Sequence, residues 1–395
     1  AVLGRLAVAE NRDTLHSWLR NIGNKVKRDV LPGWFVWLRH PWIPTEFPDV
    51  GCDVLKLVPQ EVHARILLPG KRYLVVFGAK TQTGPILMAT LFLSIAEASL
   101  KKGFRSLARV PHEKIVGAFF ASRVARLPVH RIDGEWVHGR GKNSLFRSIA
   151  SRKVSVVGCG ALGAAVARLL AQAGVGTFLL IDGDILASHN TARHVLGQRF
   201  LGKNKASAMA QILNEDFPHL EMVTAMPHRF DALHSAQLDQ IASSDIIVSA
   251  GLDLEGDLQL NHWRRSLALP PIHVCTWTEP FALAGHAVAL FGADDLTVAF
   301  DNQEQINFRL TDWPDERGIL IREAGCANVF QPHGAIELQV IVSIAAALVL
   351  DVLTGKVRAS CRRVWHGDRE EVAIKGGFVL EAFDQSFCVR EHQWS

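Results

Sequence analysis

Between residues 154 and 163 the chain reads Val154-Ser155-Val156-Val157-Gly158-Cys159-Gly160-Ala161-Leu162-Gly163: an apolar run, three glycines at G-x-G-x-x-G spacing, then small apolar residues. A strand that turns this tightly into a helix commits the segment to a βαβ unit and therefore to a parallel sheet. The glycines permit the turn and let backbone N–H groups approach an anion at the helix N-terminus. The periodicity predicts a helix over 161–173, a strand over 177–181 ending at Asp182-Gly183-Asp184, a helix over 205–214 and a strand over 245–249. Such alternation predicts an α/β fold with a doubly wound, mostly parallel sheet. Asp182 stands 24 residues after Gly158, at the end of the second strand, where a carboxylate accepts hydrogen bonds from ribose hydroxyls. Gly158, Gly160, Gly163 and Asp182 are thus candidate nucleotide-binding residues, and on their own they suit NAD, FAD or ATP equally.

The chain's 395 residues suggest two or three domains. We expect an α/β accessory or linker domain over 1–130, the nucleotide-binding domain over 131–355 and a strand-rich C-terminal extension over 356–395. In the first we expect a helix near 14–27, strands at 64–68 and 73–77, and a Pro- and Trp-rich patch over 31–44 that serves as core or interface. The glycine-rich stretch 133–142 is expected to punctuate the boundary. The apolar runs 86–96 and 340–350 fall short of the ~20 residues that span a bilayer and are read as buried helices, so no membrane is implied. A net charge of +4 without a basic stripe speaks against nucleic acid. The six cysteines form no C-x-x-C pair, which fits reduced thiols in the cytoplasm and argues against a cysteine-rich zinc site. The chain starts at Ala1 rather than Met, as expected of one from which a preceding domain has been cut away.

After Asp182 come Asn190 and Arg193, then Gly202 and Lys205. A retained dinucleotide needs no cation at these places, whereas cleaving ATP between its α- and β-phosphates calls for Arg, Lys and a magnesium ion aimed at the departing pyrophosphate. Read alone, Arg193 and Lys205 suit a solvated loop edge equally well. Together with the glycine loop, the series Gly158/Gly160/Gly163, Asp182/Asp184, Asn190/Arg193, Gly202/Lys205 resembles the ThiF and MoeB superfamily of adenylating enzymes, over roughly residues 150–355.

The resemblance implies that ATP is held at Gly158, Gly160, Gly163, Asp182, Asp184 and Asn190, with Arg193 and Lys205 acting on the phosphates. It implies Mg2+ on Asp253, with Asp257 as a fallback, since the family's metal aspartate lies one residue earlier and is followed by Asn. A second phosphate-binding arginine, Arg140 or Arg147, would be donated across a homodimer. Cys326, in a Gly-, Asn- and Pro-rich segment before the apolar helix, matches the cysteine that accepts the acyl group as a thioester, with His333 or Glu323 helping to activate it. Cys159 is read as a spacer. The Arg193-His194 pair and the stretch leading into the glycine loop resemble bacterial anti-phage (CBASS) fusions in which a conjugating-enzyme domain and a linker precede the activating domain. That implies a protein substrate with a free C-terminus, ubiquitin-like or a cGAS-like nucleotidyltransferase, and a conjugating domain upstream or in trans. Cys52 lacks the surroundings of a conjugating-enzyme cysteine. The alternatives are a sulfur-carrier adenylyltransferase, an NAD-dependent Rossmann oxidoreductase and a catalytically silent dimeric scaffold.

Overall fold

A computed structural model describes residues 33–66, 72–81, 86–93, 97–129, 133–139, 145–301, 306–314, 321–322, 329–330 and 333–394. They fall into two compact units, one within Lys25–Ile132 and one within Asp133–Ser395. The expected helix over 14–27 lies outside the described residues.

The first unit runs β1 (Gly33–Trp37), α1 (Gly51–Leu55), α2 (Gln60–Ile66), β2 (Arg72–Ala79), β3 (Ile86–Leu93), α3 (Glu97–Lys101), α4 (His112–Phe120) and β4 (Ala125–Pro128), with its four strands in the order β1-β2-β3-β4. The aromatic patch supplies core: Trp34, Val36 and Trp42 pack against Val54, Val75, Phe77 and Phe119, with the Trp42 and Phe77 ring centroids 4.8 Å apart. Two expectations are corrected. The apolar run from Ile86 is strand β3, not a helix, because a short apolar run carries no period of its own and antiparallel pairing of all eight residues with β2 decides it. Residues 64–66, expected in a strand, end helix α2.

The second unit opens with α5 (Gly134–Gly139), so the glycine-rich boundary stretch is partly helical, and α6 (Phe146–Ile149). It continues β5 (Lys153–Val157), α7 (Ala161–Ala173), β6 (Thr177–Ile181), α8 (Lys205–Asp216), β7 (Met222–Met226), α9 (Ser235–Ala242), β8 (Ile246–Ala250), α10 (Leu254–Ser266), β9 (Ile272–Thr278) and β10 (Ala284–Leu290). After the short strands β11 (Thr311–Asp312), β12 (Ile321–Arg322) and β13 (Val329–Phe330) come α11 (Ala335–Leu353), β14 (Cys361–His366), α12 (Arg369–Ile374), β15 (Phe378–Val379) and β16 (Cys388–Gln393). Strands β14 and β16, from the segment expected as an extension, complete an eight-stranded sheet of order β16-β14-β10-β9-β8-β5-β6-β7. Within it β7, β6, β5, β8 and β9 are parallel, while β10, β14 and β16 pair antiparallel.

Every residue of β6, β8 and β10 is buried, as befits strands covered on both faces. Helices α7 and α11 share one hydrophobic core with β5, β6, β8 and β9. Helix α11 is long and apolar enough to cross a bilayer, yet half of its most apolar window is buried inside the protein. The chain proceeds from β5 to β6 and β7 on one side and then returns to β8 on the other. The loop after β5 therefore sits at the topological switch point, the crevice where doubly wound sheets bind their ligands.

Candidate functional site

The three glycines do different work. Gly158, directly after β5, stands at φ +87°, a left-handed conformation, and a Cβ there would lie 2.6 Å from the Ala250 carbonyl oxygen. A Cβ on Gly163 would come within 1.9 Å of the Gly158 oxygen, so this glycine lets α7 close onto the loop. Gly160 is the N-cap of α7 at φ −72°, with no side-chain cap on the helix, and a Cβ there would meet nothing within 4 Å. Its open face and the uncapped N–H groups behind it form the cradle that an anionic phosphate fits.

Asp182 closes the site from β6. Its Oδ2 accepts from the Cys159 N–H at 2.7 Å and its Oδ1 from the Asp184 N–H at 2.7 Å. Burial pushes the carboxyl up from its ordinary range, and the amide bonds and the nearby Lys205 charge oppose that rise. Each carboxylate oxygen retains acceptor capacity beyond its one amide bond, as a ribose hydroxyl requires. Cys159 is buried with its thiol pushed well up, first by burial. That burial fits the reading of it as a spacer.

The Asn190 to Lys205 segment is bolted to the same loop. Asn190 Oδ1 accepts from the Ala187 N–H at 3.0 Å and its carbonyl from the Arg193 and His194 N–H groups. His194 is buried; its Nδ1 accepts from the Leu196 N–H at 3.0 Å, which leaves Nε2 as the donor to the Cys159 carbonyl at 2.8 Å. Burial lowers its pKa and keeps it neutral. Arg193, half-buried, is the residue directly before this strut. Asn204 caps α8, accepting from the Ser207 N–H, and donates to the carbonyls of Asp182 at 2.7 Å and Asp184 at 3.1 Å. Lys205 follows, its side chain 12% exposed and its Nζ 2.9 Å from Asp184 Oδ2. Sequence reasoning missed His194 as a strut and Asn204 altogether.

Asp253 is exposed at the N-cap of α10, where its Oδ1 accepts from the Gly256 N–H at 2.8 Å. Its second oxygen makes no hydrogen bond among the described residues, and a single carboxylate among waters suits magnesium. Asp257, the fallback, is instead buried beneath the helix, and burial pushes its carboxyl up to about 6. Arg147 is exposed and pairs with Glu135 at 3.0 Å. Arg140, Glu323 and Cys326 lie outside the described residues.

At the far end of β9 a second buried carboxylate holds the loop that follows β10. Glu279 accepts from His286 Nε2 at 2.7 Å, from the Leu310 N–H at 2.8 Å and from the Thr311 N–H at 2.8 Å. Burial acts to raise its pKa, but the His286 contact and these hydrogen bonds prevail and hold it low. The strained turn beside it, with Phe281 at φ +58° and Ala282 at φ +54°, is tied back by the Ala282 N–H to the Glu279 carbonyl. Nothing in the sequence pattern singled this residue out.

A glycine cradle at the switch point of a doubly wound sheet, with an aspartate closing it from the next strand, defines a nucleotide-binding unit of the Rossmann type. The chain belongs to the ThiF family, whose model matches residues 139–369. It is 28% identical over 243 residues to the ATP-dependent ubiquitin transferase-like protein Cap2 of Pseudomonas aeruginosa, covering 60% of this chain and 42% of that protein. It is 29% identical over 155 residues to the adenylyltransferase and sulfurtransferase MOCS3 of Bos taurus, covering 33% of each. Among solved structures, the crystal structure of E. coli MccB overlaps 76% of this chain and 81% of its own, with a TM-score of 0.46 and 14% identity. The chain thus spans less than half the length of either relative.

Proposed function

We propose that this chain is a ubiquitin-activating-type adenylyltransferase. In this reading it uses ATP and Mg2+ to activate the C-terminal carboxylate of a partner protein and then takes the acyl group onto Cys326. The observation that carries the reading is the strut from His194 to the glycine loop. It anchors the turn that bears Arg193 through the neighbouring His194, while Lys205 pairs with Asp184 at the acidic strand end; a retained dinucleotide has no use for either cation.

Gly158, Gly160 and Gly163 admit the phosphates, Asp182 holds the ribose, and Asn190 braces the turn that bears Arg193. The partner carboxylate, already ionised at neutral pH, attacks the α-phosphorus. The bond to the bridging oxygen of the β-phosphate breaks and pyrophosphate departs, its charge met by Arg193 and Lys205. Magnesium held by Asp253 would add charge neutralisation to that step. The Cys326 thiolate then attacks the acyl carbon, its proton having passed to solvent, and AMP leaves while the thioester forms. His333, two residues before α11, and Glu323 are the groups proposed to assist.

Membership of the ThiF family and the names of its Cap2 and MOCS3 relatives support an adenylating chemistry. The reading extends to a cytoplasmic, bacterial anti-phage conjugation system, with a ubiquitin-like protein or a cGAS-like nucleotidyltransferase as the acyl donor, a conjugating domain elsewhere, and a homodimer as the working unit; the ubiquitin transferase-like name of Cap2 supports its conjugation part.

The test is pyrophosphate exchange with ATP, Mg2+ and candidate partners, followed by a search for a thiol-sensitive adduct. Exchange that requires the partner's C-terminus, and an adduct lost in Cys326→Ala, are the expected results. An adduct that survives in Cys326→Ala refutes the nucleophile. Exchange only with a carrier ending in Gly-Gly would indicate the sulfur-carrier chemistry, and tight NAD binding without exchange would replace the reading with an oxidoreductase.

A further inference from the structure

A buried group of donors that the adenylation chemistry does not use lies between α10 and the sheet. Ser249 of β8 pairs in register with Cys275 of β9, and His273 stands two residues before Cys275 on the same face of the strand. The Asp257 carboxyl of α10 hydrogen-bonds with the Ser249 hydroxyl and the Cys275 thiol. All four are buried: Asp257 is 7% exposed, Ser249 and Cys275 1% and His273 0%. The donor atoms of Asp257, His273 and Cys275 lie within 4.8 Å of one another. His273 Nε2 meets Ser249 Oγ at 2.8 Å, but His273 Nδ1 and Asp257 Oδ1 have no hydrogen-bond partner. An unpartnered buried polar atom is costly, and here two of them stand beside a buried thiol, the grouping that a metal ligand set requires.

We propose that Asp257, His273 and Cys275 are the protein ligands of a zinc ion, in a site separate from the nucleotide cradle and independent of the adenylation reading. One thiolate, one imidazole and one carboxylate form a donor set that suits zinc, whereas magnesium and calcium take oxygen ligands. On binding, Cys275 gives its thiol proton to solvent, Asp257 binds ionised and His273 neutral. The two ligand charges then cancel those of the ion, and no uncompensated charge remains in the dry interior. Zinc bonds of ~2.0–2.3 Å place tetrahedral ligands roughly 3.3–3.8 Å apart, so the donors need to draw in by at most about 1–1.5 Å. Ser249 is placed to orient the imidazole by hydrogen bonding. Arg264, the neighbouring cation, spends its guanidinium on the carbonyls of Pro271, Gly292 and Asp294. A metal here clips α10 to β9 one helical turn from Asp253, fixing the helix start that carries the magnesium candidate.

Metal content of the wild-type chain, purified without chelator and passed over chelating resin, is the primary measurement. About one zinc per chain is expected, together with a thiolate-to-metal absorption band after exchange to cobalt(II). Cys275→Ser should lose the band, and Asp257→Asn should weaken zinc at least about tenfold in chelator competition. Wild-type protein that is metal-free both as purified and after refolding with zinc overturns the site, whatever the variants do. Full zinc retention by a folded Cys275→Ser, as metal held at the other cysteines would give, overturns it equally.

Discussion

Gly160→Ala separates the ligand face of the cradle from its packing face. At φ −72°, ψ −163° the backbone accepts an alanine without strain, and the new methyl would meet no atom within 4 Å. Removing a glycine at such a compatible position stabilises a fold by about 0.4–1 kcal/mol through the unfolded chain. The same methyl projects into the space that a phosphate would occupy. Displacing one charge-assisted amide contact costs ~1.5–3 kcal/mol, which at 1.4 kcal/mol per decade is roughly a 10- to 150-fold rise in the ATP requirement. Gly163→Ala is the control, because its methyl would sit 1.9 Å from the Gly158 oxygen and should destabilise by about 1–3 kcal/mol or more. Thermal unfolding by circular dichroism and pyrophosphate exchange titrated with ATP report the two effects. The reasoning fails if Gly160→Ala unfolds as early as Gly163→Ala, or if its ATP dependence matches wild type.

Asp182→Asn presents one acceptor oxygen to two amide donors, the part-buried N–H of Cys159 and the exposed one of Asp184, so one of them loses its partner at a cost of up to ~1–3 kcal/mol, and the ATP requirement should rise; an unchanged unfolding midpoint would contradict the bonds to Cys159 and Asp184. Glu279→Ala strands the donors of His286, Leu310 and Thr311 and should cost roughly 3–5 kcal/mol in urea unfolding, while a loss under about 1 kcal/mol would show that the carboxylate holds nothing. Because the folded Glu279 pKa is held low, its contribution is present above the unfolded value of about 4.3 and is lost as pH falls through the folded one. His194 is depressed by burial, so the unfolded chain takes up its proton first, and this contribution is likewise lost as pH falls below about 6.5. Wild type should therefore lose stability more steeply than His194→Gln below that pH. Parallel pH profiles of the two would refute it.

The nucleotide unit was legible because local signals agreed there. Helix 161–173 and strand 177–181 stand at the residues expected, since glycine turns, apolar runs and the 3.6 period point one way. The segment from Ile86 was not, because its apolar residues serve strand or helix alike and only pairing with β2 chose. Helix α12 was overlooked where short strands were expected, although Asp368 at its N-cap and two glutamates in its first turn were a readable signal. His194 was visible as a residue but not as a strut, since its partner is a backbone carbonyl 35 positions away. The Asp257, His273 and Cys275 group draws on a helix and a strand that no linear spacing relates.

The ion pair between Lys205 and Asp184 does not use up the lysine. The ammonium carries three N–H groups and a single carboxylate need engage only one of them, so the same lysine can hold a second anion while the ion pair persists. Asp184, half exposed, then stays in place as a fixed negative group on the solvent side. Under the proposed adenylation, charge would alternate across this end of the site, and the lysine would act as a hinge pin shared by protein and ligand rather than as a free cation.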